Sequence, residues 1–391
     1  MLRRSWWRFQ RAANQATTAP QAALDATITS DGAPVTASGS VNLLLPGATS
    51  ASQLVVGLST STAGDFTGAN AKSATIGLIS DASNIGGCGS TCQMTLASQQ
   101  VSVTGKVYTP AAAQVNTTAV DFGIVHVGDT ITARGVSITN SAPTSALNDV
   151  LRGSLGGASG PFTAGGSFAA LAAQSTDATS LTVGLNTTNS GVFSGSAMAT
   201  FATHDADLAD QPLGTSAIAL TGQVDNFAKV ALEQTGGSVG LTESGNVYTL
   251  NFGTLAQGSA GLSDELAVLN SATGLADLLS GSFANGGSVP GFDLSGFGPF
   301  SGLGAGQAKG GLSVDFDTGT AGTFEDTITL HAIGSNASGY SGSLDDVTLV
   351  LEGRVTGSMP AIPEPGVDAL MIAGLCALFG LHRRRGARAE R

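Results

Sequence analysis

The fold of this chain is decided by the stretch Leu181-Thr-Val-Gly-Leu-Asn-Thr-Thr-Asn-Ser-Gly-Val-Phe193. The same pattern returns as LSVDFDTGTAGTF at residues 312–324 and as LVVGLSTSTAGDF at residues 54–66. Each copy joins an alternating apolar segment to a polar turn, a glycine and a phenylalanine. Alternation with a period of two, bounded by turn residues, is typical of β-strands. Three copies in one chain therefore predict a repeated all-β unit.

Flanking anchors extend this repeat to about 130 residues. Downstream, the Phe-to-Gly distance is 29 residues both from Phe193 to Gly222 and from Phe324 to Gly353. Upstream, the pairs that match are Val120-Asp-Phe-Gly123 with Leu250-Asn-Phe-Gly253, and Asn140-Ser-Ala with Asn270-Ser-Ala. Short strands at this spacing predict an all-β chain of tandem immunoglobulin-like β-sandwich repeats. After these repeats, the C-terminal tail is predicted to form a short transmembrane helix. Outside that tail, the Ala-rich stretches 142–152 and 262–280 are predicted to hold a helical turn at most.

The first repeat lacks its opening. Asn14-Gln-Ala resembles Asn140-Ser-Ala, but no Phe-Gly strand precedes it, and residues 1–11 contain no apolar stretch of the kind that a secretory signal needs. We interpret 1–11 as a non-native-looking or truncated N-terminus and expect that the chain starts inside a longer reading frame. The missing strand should leave one sheet edge of the first repeat unpaired.

The domain prediction follows from these anchors. The predicted segments are an incomplete repeat over 12–110, full repeats over 115–224 and 225–356, and a sorting tail over 357–391.

The charge distribution separates the body of the chain from its ends. The net charge is −12, but residues 12–382 hold 7 Lys+Arg against 27 Asp+Glu, which gives 7 − 27 = −20. An acidic body repels nucleic acid, so no nucleic-acid partner is expected. The arginines at the two ends indicate targeting or contact with a membrane.

The C-terminal tail has three parts in a fixed order. Pro363-Glu364-Pro365 is followed by an uncharged run of 13 residues, 369–381, and then by Arg383, Arg384 and Arg385. A stable membrane-spanning helix needs about 20 apolar residues. Arginines that follow an apolar run hold that end in the cytoplasm. We therefore expect a transient membrane anchor that a processing enzyme removes.

This order resembles a PEP-CTERM sorting signal, which in that family is recognised by exosortase, a membrane-embedded cysteine protease. The resemblance implies transit across the inner membrane, where the tail anchors the chain transiently, then cleavage near Pro365 and release or attachment at the cell surface. It also implies an association with exopolysaccharide production or biofilm. The segment from Val120 to Gly128 resembles the opening of choice-of-anchor D domains, bacterial relatives of the ASH/Hydin sandwiches, and the copy from Leu250 to Gly258 fits less well. That family implies a fold and no catalytic residues. An ordinary single-pass tail anchor is the alternative interpretation of the tail.

Other candidate chemistry is sparse. The four histidines are scattered, and the turn with Asp205, Asp207 and Asp210 lacks the Gly-bearing turn and the distal bidentate carboxylate of a calcium loop. Asp315 and Asp317 flank Phe316 on a strand and should face solvent. We predict no metal site and no cofactor.

Cys88 and Cys92 lie in a loop where the first repeat is longer. Its Phe-to-Gly distance is 39 residues instead of 29. In an oxidising compartment this local pair is predicted to form a disulfide.

Together these features predict a non-enzymatic, exported cell-surface or extracellular-matrix protein whose partners are an exosortase-type protease and an exopolysaccharide or surface matrix. The alternatives are a carbohydrate-binding or adhesive module and, third, a secreted enzyme. Sugar grooves favour exposed aromatic rings. Beyond the phenylalanines and the two N-terminal tryptophans, only Tyr108, Tyr248 and Tyr340 are available. That scarcity favours the structural role.

Overall fold

The computed structural model describes residues 8–9, 12–14, 21–86, 92–357 and 367–386. This part of the chain is all-β apart from a 3-10 turn at Gly68–Asn70 and one C-terminal α-helix. It divides into two compact units, Met1–Asp225 and Asn226–Arg391. The first unit holds two β-sandwiches and the second unit holds one, each with its own apolar core.

The first sandwich is built from short strands in two layers. One layer has the order β10-β9-β3-β5, continued by the pair β11-β8, and the other consists of β1-β7-β4 and the pair β2-β6. The strands are β1 Arg8–Phe9, β2 Ala12–Ala13, β3 Ala23–Ser30, β4 Val35–Ser38, β5 Ser40–Leu44, β6 Thr49–Ser50, β7 Val55–Leu58, β8 Gly64–Phe66, β9 Lys72–Asp81, β10 Gln93–Val103 and β11 Gly105–Val107.

One layer of the second sandwich is a single sheet. That layer is the five-stranded sheet β13-β22-β21-β16-β18, and it faces the sheets β12-β15-β19 and β14-β20-β17. The strands are β12 Ala113–Val115, β13 Ala119–His126, β14 Arg134–Gly135, β15 Ile138–Asn140, β16 Val150–Gly156, β17 Phe162–Gly165, β18 Ser167–Leu171, β19 Thr176–Asp177, β20 Thr182–Leu185, β21 Gly191–His204 and β22 Gln211–Asp225.

The third sandwich repeats the plan of the second. A seven-stranded sheet ordered β24-β25-β33-β31-β27-β29, with β32 on β31, faces the sheet β23-β26-β30-β28. The strands are β23 Val230–Gly237, β24 Leu241–Ser244, β25 Val247–Ala256, β26 Leu262–Asn270, β27 Leu278–Ala284, β28 Phe292–Ser295, β29 Phe300–Leu303, β30 Ala308–Phe316, β31 Gly322–Ser335, β32 Ser341–Ser343 and β33 Val347–Thr356.

The repeated sequence stretch supplies the centre of each core. Leu181, Val183 and Leu185 are buried on alternate positions, as are their counterparts Leu54, Val56, Leu58, Leu312, Val314 and Phe316. The alternation predicted from the sequence is therefore confirmed. Asp315 and Asp317 lie exposed on either side of Phe316, also as predicted.

The glycine two residues before the repeated phenylalanine has a steric reason. A Cβ on Gly191 would lie 2.9 Å from the ring of Phe193, and one on Gly64 would lie 2.8 Å from the ring of Phe66. Each ring folds back over its glycine and packs against its own core. Any larger residue at the glycine position would displace the ring.

A buried asparagine closes the same corner in all three sandwiches. Asn14, Asn140 and Asn270 have exposed fractions of 8%, 0% and 0%. In each case the side-chain amide donates to a leucine carbonyl at 3.0 Å, those of Leu44, Leu171 and Leu303 respectively. In the second and third sandwiches, the amide oxygen also accepts the backbone N–H of Ala112 or Lys229. One asparagine side chain thus forms hydrogen bonds with backbone N–H and carbonyl groups that have no partner within the strand ladders.

The two Ala-rich stretches form no helical turn, so that prediction was wrong. Residues 262–270 are strand β26, whose buried positions include Asp264, Leu266, Val268 and Asn270. Burial on every second residue stabilises a strand regardless of helix propensity. The stretch 142–152 runs from a loop into β16.

The predicted transmembrane helix needs a correction. An α-helix, α1, does form over Val367–Gly386. Among the described residues, however, no helix combines the length and the apolar character needed to cross a membrane. The physical reason is that the uncharged run covers only residues 369–381, and Arg383–Arg385 follow within the same helix.

Candidate functional site

The residues of the predicted sorting signal are only partly described. Pro363, Glu364 and Pro365 lie outside the described residues, whereas Arg383, Arg384 and Arg385 belong to the last turns of α1. Cys92 is disulfide-bonded. Its predicted partner Cys88 lies outside the described residues, so the pairing stays a prediction.

Helix α1 presents large apolar side chains that are not covered. Their exposed fractions range from 57% for Leu375 to 79% for Val367, and the others are those of Leu370, Met371, Ile372, Leu378 and Phe379. Within the described part of the chain, these side chains belong to none of the three sandwich cores.

A polar cluster joins the first two sandwiches within the first unit. Asp207, from the loop between β21 and β22, accepts a hydrogen bond from the Tyr108 hydroxyl. It also pairs with the Lys106 ammonium at 2.8 Å. Backbone bonds add to this link, because the Thr109 N–H donates to Leu147 O and the Thr109 carbonyl accepts from Asp149 N, both at 2.9 Å. The linker between these sandwiches is therefore fixed to the second one.

The electrostatics of this cluster follow from its contacts. Burial, with the bond to Asp207, raises the pKa of Tyr108 to about 12. Hydrogen bonds from Lys106 and Tyr108 lower the pKa of Asp207. The hydrogen bond between Lys106 and Asp207 raises the pKa of Lys106. The cluster keeps a neutral phenol beside a carboxylate and an ammonium over the whole neutral pH range.

The acidic turn after β21 directs its carboxylates to different partners. Asp205 Oδ1 accepts the backbone N–H groups of Asp207 and Leu208, both at 2.8 Å. Asp210 pairs with His204 at 2.6 Å and with Arg152 at 2.7 Å. No group of three or more metal-ligating side chains is found in the described ranges. The geometry here is that of a turn held by ion pairs.

His331 is also held by a carboxylate, and His126 is packed. His331 Nδ1 lies 2.8 Å from Asp346 Oδ1, and both side chains are more than half exposed. His126 is buried at the end of β13. Neither His204 nor His331 is hydrogen-bonded to a serine, threonine or cysteine within the described segments. These contacts orient imidazoles without activating a nucleophile.

Sequence reasoning missed the cluster around Tyr108. Tyr108 and Asp207 are 99 residues apart, and no sequence motif contains both. The acidic turn around Asp207 could have indicated the cluster, but it was considered only as a calcium-binding loop. The nearest basic residue on the preceding repeat, Lys106, would have suggested an ion pair.

Comparison with known proteins adds little. No protein-family model matches the chain, and no curated protein matches it. Similar solved structures include mouse protocadherin-24 EC1-3, with 14% identity over 87% of this chain and 92% of that chain and a TM-score of 0.33. The CfaE adhesin of enterotoxigenic E. coli is 12% identical over 65% of this chain and 88% of that chain, with a TM-score of 0.22. The E. coli chaperone DraB is 11% identical over 61% of this chain and 97% of that chain, with a TM-score of 0.20. TM-scores this low carry no argument about the fold or the function of this chain.

Proposed function

We propose that this chain is a non-enzymatic, exported protein of the cell surface or extracellular matrix, sorted by its C-terminal tail. On this proposal the tail is a PEP-CTERM-type signal that an exosortase-type protease recognises and cleaves near Pro365. The β-sandwiches are the part that is delivered. They present polar, acidic faces to an exopolysaccharide or similar matrix.

The observation that carries this proposal is the exposed apolar surface of α1. The helix follows the last strand, β33, after a short segment, yet Leu370, Ile372 and Phe379 are each at least 64% exposed. A helix that contributed to the fold would bury such side chains. A sorting signal that is cleaved off after export does not need to pack into the core.

The chemistry of the motif supports the same assignment. Proline fixes φ and lacks an N–H, so Pro363 and Pro365 favour an extended segment in front of α1. An extended backbone is the form in which proteases bind a peptide, by adding it to a strand edge. Glu364 between the two prolines is the natural recognition residue.

The sandwich architecture supports the delivered role. In the second and third sandwiches a strand near the start runs parallel to the last strand, and the last strand, β22 or β33, pairs antiparallel with the long strand β21 or β31. That arrangement, with a second sheet facing it, favours an immunoglobulin-like sandwich. Such domains serve widely as surface modules, and the assignment here is part of the proposal.

One observation favours the adhesive alternative. Tyr108 and Tyr248 are buried, but Phe227, which is 45% exposed, packs against Tyr340 with ring centroids 6.0 Å apart on the third sandwich. A pair of aromatic rings can hold a sugar. A glycan array probed with the full chain and with Tyr340→Ala tests this alternative, which requires a signal that the substitution removes.

The proposal is tested in a host that carries an exosortase. Mass spectrometry of the mature surface protein should show that residues 369–391 are gone. Glu364→Ala should leave the chain full length and membrane-associated, whereas the matched control Glu243→Ala, on β24, should be processed normally. Surface protein that still contains Arg383–Arg385 would favour a plain tail anchor.

A further inference from the structure

A groove lies over the strands β27, β31 and β32 of the third sandwich. Its volume is about 420 Å³, which is in the range of small-molecule sites. Its polar side chains are those of Ser280, Ser282, His331, Ser343 and Asp346. The groove shares no residue with the sorting tail or with the cluster around Tyr108.

The strand register places three of these side chains in one row. Ser282 on β27 lies directly opposite His331 on β31. On the other side of His331, its Nδ1 lies 2.8 Å from Asp346 Oδ1. The His331 and Asp346 side chains are 55% and 54% exposed, so the row of hydroxyl, imidazole and carboxylate can be reached by a ligand.

A second row, two residues along β31, has an apolar centre. Ile333 is 41% exposed and lies opposite Ser280 on one side and Ser343 on the other. Ser280 Oγ accepts the Gly302 N–H at 3.1 Å, which fixes the position of this hydroxyl. The half-buried ring of Phe300 adds a second apolar surface. The groove therefore combines apolar surface with hydroxyl groups on either side of it.

The backbone beneath the groove is already paired. Strand β27 has β29 on one side and β31 on the other. Strand β31 pairs on its other side with β33 and then with β32. Because both strands are inside the sheet, an added strand has no ladder to join here. An occupant of this groove must be held by side chains.

The second sandwich shows what the same place contains in a related repeat. Gly153 on β16 and Gly281 on β27 each lie under a phenylalanine ring, that of Phe168 or of Phe300. The phenylalanine is opposite the glycine in both sheets. This shared feature aligns β16 with β27, and the strands paired with them align β21 with β31.

One arginine covers the corresponding surface of the second sandwich. By this alignment Arg152 stands in the place of Ser280. Its guanidinium group donates to Ala169 O at 3.3 Å and to Asp210 Oδ2 at 2.7 Å, so the side chain lies across the sheet. The smaller Ser280 leaves that space open in the third sandwich.

The imidazole–carboxylate pair also distinguishes the third sandwich from the second. Ser154 is opposite Thr200, as Ser282 is opposite His331, and Thr200 is in turn opposite Thr215. Two threonines thus stand where the third sandwich has His331 and Asp346. Both differences, the missing arginine and the added pair, fall on the same groove.

The chemistry of the lining selects a class of ligand. Among the described residues that line the groove, none is lysine or arginine, and the Asp346 carboxylate disfavours an anion. A single carboxylate is also too few for a calcium ion, which takes about six to eight oxygen ligands. The hydroxyls and the imidazole–carboxylate pair supply hydrogen-bond donors and acceptors, and Ile333 and Phe300 supply apolar contact. An uncharged sugar matches this lining, because it carries hydroxyl groups around an apolar C–H face.

We propose that this groove binds a hexose unit of an uncharged polysaccharide. Ile333 and Phe300 contact the C–H face of the sugar, while Ser282, His331 and Asp346 form hydrogen bonds with its hydroxyl groups. The proposal rests on the proposed matrix role for the kind of partner. It does not depend on how the chain is sorted.

The test begins with the purified full chain on a glycan array. The array carries neutral oligosaccharides of glucose, mannose, galactose and N-acetylglucosamine, with uronate-containing oligosaccharides beside them. The strongest neutral ligand is then titrated by isothermal calorimetry, which should show one site per chain. His331→Ala should weaken this binding at least tenfold, whereas Thr200→Ala, the matched change in the second sandwich, should bind as the parent does.

A second variant fills the groove. Ser280→Arg introduces the residue that covers this place in the second sandwich, and it should also weaken binding at least tenfold. Ser154→Arg adds the same charge to the second sandwich and should bind as the parent does. Unchanged circular dichroism and an unchanged melting temperature show that each variant is folded.

Four results would overturn the proposal. They are no binding to any neutral oligosaccharide, binding to uronate-containing oligosaccharides alone, parental binding by folded His331→Ala, and parental binding by folded Ser280→Arg. Loss of binding in Tyr340→Ala with parental binding by His331→Ala would assign the sugar to the aromatic pair instead. None of these results bears on cleavage near Pro365, which mass spectrometry of the surface protein tests separately.

Discussion

The first and second sandwiches share a corner and differ at an edge. Asn14 and Asn140 make the same hydrogen bond to a leucine carbonyl at 3.0 Å. Yet β13 covers β22, while the outer side of β10 is uncovered in the described chain. The comparison teaches that the corner depends on residues 30 and 31 positions apart. The edge depends on a strand that lies farther away in the sequence, since Ala119 pairs with Ala219.

The largest effect is expected from removing the anchor of that strand. Phe122→Ala should destabilise the second sandwich by roughly 4 kcal/mol, because it deletes a buried ring and leaves a cavity against Phe162. The edge of β22 should then behave like the edge of β10. Hydrogen-exchange mass spectrometry of the full chain measures this as faster exchange in β22.

A matched control is available on the neighbouring strand. Val192 on β21 is 74% exposed, so Val192→Ala should change the opening free energy of β22 by less than about 0.5 kcal/mol. If Phe122→Ala were equally silent, β13 would not be what protects the edge.

The buried asparagine offers the second comparison. Asn140→Ala leaves the Ala112 N–H and the Leu171 carbonyl without their partner in a fully buried site, at a cost of about 3 kcal/mol. Asn14→Ala should cost less, because Asn14 is 8% exposed and water can reach the corner. Urea-dependent exchange of each sandwich measures both, and a larger cost at Asn14 would contradict this ranking.

The smallest effect concerns the pH dependence of the junction. Tyr108 has a folded pKa of about 12, above its ordinary value of 10.0. Its contribution to stability is therefore complete below pH 10 and is lost as the pH rises toward 12. The difference in phenolate absorbance between the parent and Tyr108→Phe measures this titration directly. A Tyr108 that ionises near pH 10 would contradict the burial of its hydroxyl together with its hydrogen bond to Asp207.

The sequence was informative where a pattern repeats. The alternation around Leu181 predicted the strands at the centre of each core. The missing Phe-Gly strand predicted an unpaired edge, and among the described residues no strand pairs with the outer side of β10. Both follow from short-range periodicity and internal alignment. The polar contacts were not predictable in this way. Tyr108 contacts Asp207 because the first and second sandwiches pack next to each other, and neither periodicity nor internal alignment reports that packing.

The errors have physical reasons as well. Alanine favours helices weakly, and in β26 the burial of Leu266 and Val268 on one face outweighed it. The tail was predicted to be a transmembrane helix from its order of parts, but the apolar run is too short for that description.

The most direct test of the account compares two backbone amides in the full chain, those of Ser102 on β10 and Ala219 on β22. The account predicts that the Ala219 N–H, which donates to Thr118 O, exchanges at least about 100-fold more slowly than the outward N–H of Ser102. Hydrogen exchange with residue-resolved fragmentation gives both rates in one experiment. Equal protection of the two amides in a monomeric sample would contradict the claim that β13 protects β22 whereas, among the described residues, no strand covers the outer side of β10.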